Sequence, residues 1–262
     1  MHHHFTLLGC GTSTGVPLPG CACQVCRSKH PKNFRNRTSG AIHLSSGEVI
    51  LLDAGPDLRH QALQHNIARV DSVIYTHAHA DHILGTDDLR AFNFTSGRRI
   101  TCYGSSETLD GVRNAFPYIF NPQPTYLGGL VAQLDLIAIN LQGASSLYGL
   151  PCHFFPLPHG DTTVTGIRVG DLGYATDCKG LSLRATEVLR GVSTLFLDGL
   201  RWESHKTHNS IHEACEIARE VGAKKTFLIH TTHSIDYDEV SRQLPDGIEL
   251  GYDGLRVTFH DS

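Results

Sequence analysis

The densest run of reactive side chains is Ser72-Val-Ile-Tyr-Thr76-His77-Ala78-His79-Ala80-Asp81-His82. An apolar run ends at Thr76, and four groups able to ligate a metal follow directly. In an extended segment the alternate spacing of His77 and His79 lets two imidazoles converge on one ion. Asp81 and His82, where the chain turns, then face a second. A solvated turn is the bland alternative, but H-x-H-x-D-H after an apolar run is a specific metal pattern. Three more candidates end apolar runs downstream: His159 after Phe154-Phe-Pro-Leu-Pro158, Asp177 after Leu172-Gly-Tyr-Ala-Thr176, and His230 after Phe227-Leu-Ile229. Asp53 closes Val49-Ile-Leu-Leu52 in the same way, although a lone Asp there is more often a turn residue. Imidazole and carboxylate suit Zn²⁺, Mn²⁺ or Fe²⁺. Two such ions side by side activate a water at neutral pH and offset charge growing on substrate oxygens.

A second cluster is Gly20-Cys21-Ala-Cys23-Gln-Val-Cys26, three thiols that leave one position of a zinc site unfilled. His233, in His230-Thr-Thr-His233, is the candidate fourth ligand; a redox-active loop and a surface His are the alternatives. His208, in Lys206-Thr-His208-Asn-Ser210, lies at the mouth of a predicted helix that Ser210 and Glu213 can cap. An imidazole there can protonate a leaving group or bind a developing oxyanion, though alone it reads as an exposed loop residue. The neighbouring His205 and His212 are expected to be structural or exposed. The basic run Arg27, Lys29, Lys32, Arg35 and Arg37 reads as a solvated loop, at most a small phosphate contact. His2, His3 and His4 are assigned no function.

Apolar runs and amphipathic stretches must position these groups. Phe5–Leu8, Val49–Leu52, Ser72–Tyr75, Ile100–Tyr103, Leu195–Leu197 and Thr226–Ile229 read as strands. Leu58–His65, Glu107–Ala115, Leu183–Leu189 and Ile211–Val221 read as helices. Residues 9–39 read as a long ordered loop, and 117–130, with Pro117, Pro122, Pro124 and Gly128-Gly129, as an irregular connection. The polar clusters fall at the carboxyl ends of predicted strands, where α/β sheets collect ligands.

Composition bounds the function. The chain has 262 residues, 40% hydrophobic and 18% charged, enough apolar material for a core. A net charge of −4 argues against a general polyanion-binding surface. No apolar run is long enough to span a membrane, and no signal peptide opens the sequence. The eight cysteines are Cys10, Cys21, Cys23, Cys26, Cys102, Cys152, Cys178 and Cys215. Their clustering suits one metal loop in a reducing compartment better than a disulfide framework. The expectation is a cytoplasmic protein with no membrane partner.

The ordered set H-x-H-x-D-H, His159, Asp177 and His230 resembles the signature of the metallo-β-lactamase superfamily over nearly the whole chain. That resemblance implies an α/β fold, an αβ/βα sandwich of two mixed sheets with helices outside, as a single domain over residues 1–262. It implies that His77, His79 and His159 hold one metal. Asp81, His82 and His230 would hold the other with Asp177 between them, Asp53 supporting the site from behind. Leu8-Gly-Cys-Gly-Thr-Ser-Thr-Gly-Val-Pro17, the Cys triplet, T-H-N-S and H-T-T-H are similar to the family of the phosphonate-pathway cyclic phosphodiesterase PhnP. This second resemblance implies a zinc-binding Cys loop at about 20–37 and, as catalytic residues, His208 and the metal ligand Asp81. The cofactors would be two catalytic divalent metals, Zn or Mn, and one structural Zn. The substrate would be a small phosphodiester such as 5-phosphoribosyl 1,2-cyclic phosphate or a 2′,3′-cyclic nucleotide. A homodimer is a further expectation.

Three other readings compete. A tRNA 3′-processing endonuclease shares the metal core but carries a basic arm, whereas residues 104–150 hold no lysine and only Arg113 as arginine. No stable nucleic-acid complex is therefore expected. A relative of pyrroloquinoline-quinone biosynthesis protein B shares a Cys loop, but the complete ligand set here argues against a dead site. A glyoxalase-type thioesterase leaves the Cys loop and His208 without a role.

Overall fold

The computed structural model describes residues 2–121 and 129–261. The first strands are β1 (His2–Gly9), β2 (Ser39–His43), β3 (Val49–Leu52), β4 (Ser72–Ile74), β5 (Ile100–Gly104), β6 (Leu134–Ala138) and β7 (Ala144–Leu147). They continue as β8 (Leu150–His159), β9 (Thr162–Val169), β10 (Leu172–Ala175), β11 (Thr194–Asp198), β12 (Lys225–Ile229), β13 (Ile248–Leu250) and β14 (Arg256–His260). They form two seven-stranded sheets, ordered β14-β1-β2-β3-β4-β5-β6 and β13-β12-β11-β10-β9-β8-β7. Both are mixed: β3 to β6 and β10 to β13 run parallel, the remaining pairs antiparallel. The helices are α1 (Leu58–Gln64), α2 (Ala80–Ile83), α3 (Arg90–Ser96), α4 (Ser106–Ala115), α5 (Pro117–Phe120), α6 (Leu183–Leu189), α7 (Ile211–Val221) and α8 (Tyr237–Ser241).

Alternation along each strand explains the layers. In β3, Ile50 and Leu52 face the second sheet, while Val49 and Leu51 face helices α1 and α3. In β11 and β12, Phe196, Phe227 and Ile229 fill the space between the sheets, and Leu195, Leu197 and Leu228 pack under α6 and α7. A strand buried on both faces must be apolar throughout, so these segments read as unbroken runs. This is the αβ/βα sandwich that the resemblance implied.

Every strand and helix expected from sequence is present, with ends shifted by at most three residues. The expected loop 9–39 holds a 3₁₀ turn at Pro31–Asn33 and isolated bridges from Gly11 and Val16. Within 117–130, Pro117–Phe120 forms a helical turn; Pro122, Pro124 and Gly128 lie outside the described residues. His2, His3 and His4 turn out to be β1 residues paired with β14, and His3 is buried. Among the described residues no helix is long and apolar enough to cross a membrane.

Candidate metal centre and catalytic site

The reactive groups gather where strands of both sheets end. Asp53 follows β3, Thr76 to His82 follow β4, His159 ends β8, Asp177 follows β10, Asp198 ends β11 and His230 follows β12. Asp53, Asp177 and His230 have φ of 66°, 50° and 61°. Left-handed backbone is strained for such residues and tends to persist at functional sites. Two glycines let the β3 and β4 loops touch. A Cβ on Gly55 would stand 2.1 Å from the Asp81 carbonyl oxygen, and one on Gly85 would stand 2.0 Å from that of Gly55. The close approach is sealed by Ala54 N–H donating to His82 O at 2.9 Å and Gly85 N–H donating to Ala54 O at 2.8 Å.

The candidate ligand atoms of His77, His79 and His159 lie within 4.8 Å of one another, and so do those of Asp81, His82, Asp177 and His230. The supporting hydrogen bonds fix which nitrogen is free. Asp53, fully buried, accepts from Thr76 N at 2.7 Å, Thr76 Oγ1 at 2.8 Å and His82 Nδ1 at 2.7 Å. Because the Thr76 hydroxyl donates to Asp53, its oxygen accepts from His77 Nδ1 at 3.1 Å. His159 Nδ1 donates to Thr207 O at 3.0 Å. Each ring therefore turns an unprotonated Nε2 inward, the pattern by which carboxylates and carbonyls orient metal-binding histidines. The Nε2 atoms of His77 and His82 and both ring nitrogens of His230 are buried without hydrogen-bond partners. Orphaned buried nitrogens are costly, and divalent ions would satisfy them, so the residues fit the metals.

The electrostatics agree at His77 and His159. At His82, by contrast, burial lowers the imidazole but the Asp177 and Asp53 carboxylates outweigh it and raise it well above its ordinary value. Burial pushes the His77 imidazole well below its ordinary value, and burial likewise lowers His159, leaving both neutral. Burial raises the Asp177 carboxyl, but the fields of His230 and His82 outweigh it and hold the group well below the carboxylate range. Asp81 behaves alike: burial is overcome by the neighbouring His230 and His82 rings, 3.7 and 3.2 Å away. Asp177 Oδ1 lies 3.1 Å from His230 Nε2 and its Oδ2 3.4 Å from His82 Nε2. His159, on the other side, also comes within 4.8 Å of it, the between-sites position assigned to Asp177.

His208 stands beside this centre and is buried, where sequence alone left exposure open. Its ring stacks on His230 with centroids 4.7 Å apart. Its Nδ1 donates to Asp198 Oδ2 at 2.6 Å, and the same oxygen accepts from Cys178 N at 2.8 Å. Asp198 was missed by the sequence reading. Its signal was available: an Asp closing an apolar run, as at Asp53. His205, expected to be structural or exposed, has its ring 5.2 Å from His208, and both line a cavity of about 630 Å³. His212 packs at a tilt against Trp202, with centroids 4.9 Å apart.

The Cys cluster is also assembled. His233 Nδ1 lies 3.5 Å from Cys21 Sγ and 3.4 Å from Cys23 Sγ, and Cys26 completes a set within 4.8 Å. A tetrahedral zinc with bonds of about 2.3 and 2.0 Å has an S···N edge of about 3.5 Å, which these spacings match. The His233 contact brings the Cys23 thiol down to about 6, toward the thiolate that binds metal. The expectation of a solvated basic run holds for Arg27 and Lys29, which are exposed, and is corrected for the other three. Arg35 is 1% exposed and spans the loop, donating to the carbonyls of Lys32, Thr232 and Ile235. Lys32 lies over the Tyr237 and Tyr252 rings, and Arg37 pairs with Asp57. Long basic side chains here anchor the loop by stem and head together.

The family model of the beta-lactamase superfamily domain matches residues 48–231. A solved diphosphatase from the PhnP family is 38% identical with a TM-score of 0.91, covering 99% of this chain and 98% of its own. An octanoyltransferase of Porphyromonas gingivalis is 36% identical over 253 residues, 96% of this chain; the chain spans 50% of that relative's length. Zn²⁺-bound PqqB from Methylobacterium extorquens shares the fold at a TM-score of 0.76 and 20% identity, covering 97% and 99% of the two chains. With its sandwich, its strand-end ligands and these matches, the chain belongs to the metallo-β-lactamase superfamily of metal-dependent hydrolases and within it resembles the PhnP family.

Proposed function

We propose that the protein is a di-metal phosphodiesterase that opens small cyclic phosphodiesters, such as 5-phosphoribosyl 1,2-cyclic phosphate or 2′,3′-cyclic nucleotides. The observation that carries this reading is the buried Asp198–His208 pair, bonded at 2.6 Å beside His159 and Asp177. His77, His79 and His159 would hold one ion, Asp81, His82 and His230 the other, with Asp177 between. Two Zn²⁺ or Mn²⁺ ions there supply an activated water and offset phosphoryl charge. Asp81, held low, stays ionised, as a carboxylate that is to hold an ion and orient its water must be. Asp198 fixes the His208 ring through Nδ1 and leaves Nε2 to hand a proton to the departing alkoxide. A ring alkoxide leaves poorly unless protonated, which is why a donor at this place serves a cyclic ester. Zinc held by Cys21, Cys23, Cys26 and His233 has no open position and would be structural. Eight free cysteines support a reducing, cytoplasmic setting.

The test is His208→Ala, with metal content measured alongside turnover. It should keep its metals and lose about 10²–10⁴ in rate on 2′,3′-cyclic nucleotides. The loss should shrink for bis(p-nitrophenyl) phosphate, whose leaving group departs unprotonated. An equal loss on both esters would refute the proton-donor role, and efficient site-specific cleavage of precursor tRNA by wild type would overturn the substrate class. A phosphoanhydride is the second reading, favoured by the diphosphatase named among the relatives, and a nucleoside diphosphate in the same panel decides between them.

A further inference from the structure

Three consecutive residues, Thr207, His208 and Asn209, each grip a different strand end of the metal centre. The Thr207 carbonyl accepts from His159 Nδ1 at 3.0 Å, and His208 Nδ1 donates to Asp198. Asn209, 1% exposed, reaches the turn that follows Asp177. Its Oδ1 accepts from Gly180 N at 2.8 Å and its Nδ2 donates to Cys178 Sγ at 3.4 Å. A backbone N–H can only donate, so the amide oxygen must face Gly180 and the nitrogen the sulfur. Two further bonds hold the same turn. Cys178 N donates to Asp198 at 2.8 Å, and Lys179 Nζ donates to the two Glu213 oxygens at 2.7 and 2.8 Å. Glu213 closes the capping box of α7, so the helix that begins just after His208 is tied to the turn as well. On the other side, Leu200 N donates to Asn209 O at 2.9 Å and joins the segment to the end of β11.

We propose that Asn209 is a positioning residue for the reaction, setting the reach of His208 to the leaving oxygen by locking its segment to the turn that presents Asp177. The Lys179–Glu213 pair closes the same clamp from outside. The inference rests on the reading of His208 as proton donor. A donor works only within hydrogen-bond reach of the oxygen it protonates, and a displacement of about 1 Å, made away from the chemistry, can cost about 10²-fold. The Asp198 bond fixes the tautomer of the ring but, as a single bond, leaves the segment free to swing about it. The two bonds of the Asn209 amide remove that freedom.

The experiment places Asn209→Ala in the wild-type and the His208→Ala protein, both metal-loaded, and measures metal content and turnover of a 2′,3′-cyclic nucleotide and of bis(p-nitrophenyl) phosphate. Asn209→Ala alone should keep its metals and lose about ten- to a hundredfold in kcat on the cyclic ester with KM unchanged. On bis(p-nitrophenyl) phosphate, which needs no proton donor, the loss should be much smaller. In the His208→Ala background the change should cost nothing further, because a misplaced donor and a missing one are the same defect. Lys179→Met, a half-buried change that loosens the turn from outside, should repeat the selectivity at about two- to fivefold, the scale of a partly exposed ion pair. Equal losses on the two esters, or a loss that adds in full to that of His208→Ala, would make Asn209 a structural residue only and leave the proton donor standing. A His208→Ala protein as active as wild type would overturn the donor and the positioning inference with it. Should Asn209→Ala fail to fold, Lys179→Met decides: no difference between the esters would overturn the clamp.

Discussion

At the scale of single residues, the site is wired through a few buried carboxylates rather than through the ligands alone. Asp53 is the best case, because it reaches both ligand groups at once. It holds His82 directly at 2.7 Å, and it holds His77 through the Thr76 hydroxyl. Burial raises its carboxyl while the His82 and Thr76 contacts lower it, and the balance leaves it raised. Asp53→Ala should therefore weaken metal binding in both halves of the centre. Losing an outer partner of this kind typically costs about 10–100-fold in affinity. Competition with a chelator of known affinity measures it, and weakening confined to one ion would disprove the shared wiring. Asp198 does the same for His208. Neither Asp is distinguishable by type from the turn residues that commonly follow strands. Only the hydrogen bonds, made across long sequence separations, reveal them.

At the scale of elements, the Cys-bearing loop after β1 is held down by groups other than its thiols. Arg35 ties it to the β12–α8 connection, and Asp253 accepts from Cys10 N at 3.0 Å and Asn36 N at 2.7 Å. Burial pushes the Asp253 carboxyl up to about 7, against those hydrogen bonds. In the unfolded chain it titrates near 3.9. Between these values the native state keeps a proton that the unfolded state has lost, so stability from this group falls as pH rises from about 4 to about 7. Asp253→Asn should remove that slope. The melting temperature of the variant minus that of wild type should climb across this window and level off above it. Effects of pH on metal binding are common to both proteins and cancel in the difference. A flat difference would show that Asp253 is ionised throughout. Elements were legible where burial is two-sided: β3, β4, β11 and β12 appear as apolar runs because helices cover one face and a sheet the other. Strands with a solvated face or at an edge were not. β6 alternates burial as Leu-Asp-Leu-Ile-Ala, and β14 as Arg-Val-Thr-Phe-His buries only Phe259 fully. Such short segments carry too little periodicity to separate from loop. The basic run misled for a related reason, since charge predicts solvation until the backbone offers carbonyls, as it does to Arg35.

At the scale of the molecule, both candidate metal centres are assembled from the two sheets together. The paired site takes His77, His79, Asp81 and His82 from the first sheet and His159, Asp177 and His230 from the second. The thiol site takes Cys21, Cys23 and Cys26 from the loop between β1 and β2, and His233 from the segment after β12. Only two residues separate His230 from His233, so one short segment reaches both candidate centres. Metal bound at either place joins the sheets at one edge, and binding free energy absent from the unfolded chain becomes folding free energy. On the proposed reading the two centres have different work: the paired site, with Asp177 between its halves, would do the chemistry, whereas the thiol site, closed by four protein ligands, would be structural. Elemental analysis should therefore find about three metals per chain, one of them zinc. Asp177→Ala should lose the catalytic pair, activity with it, and keep the third. Cys23→Ser should do the reverse: keep the pair, and lower the melting temperature far more than the turnover of the folded fraction. Retention of both catalytic metals and full activity by Asp177→Ala would remove the bridge. A Cys23→Ser protein as stable as wild type but inactive would make the thiol loop part of the chemistry instead of its support.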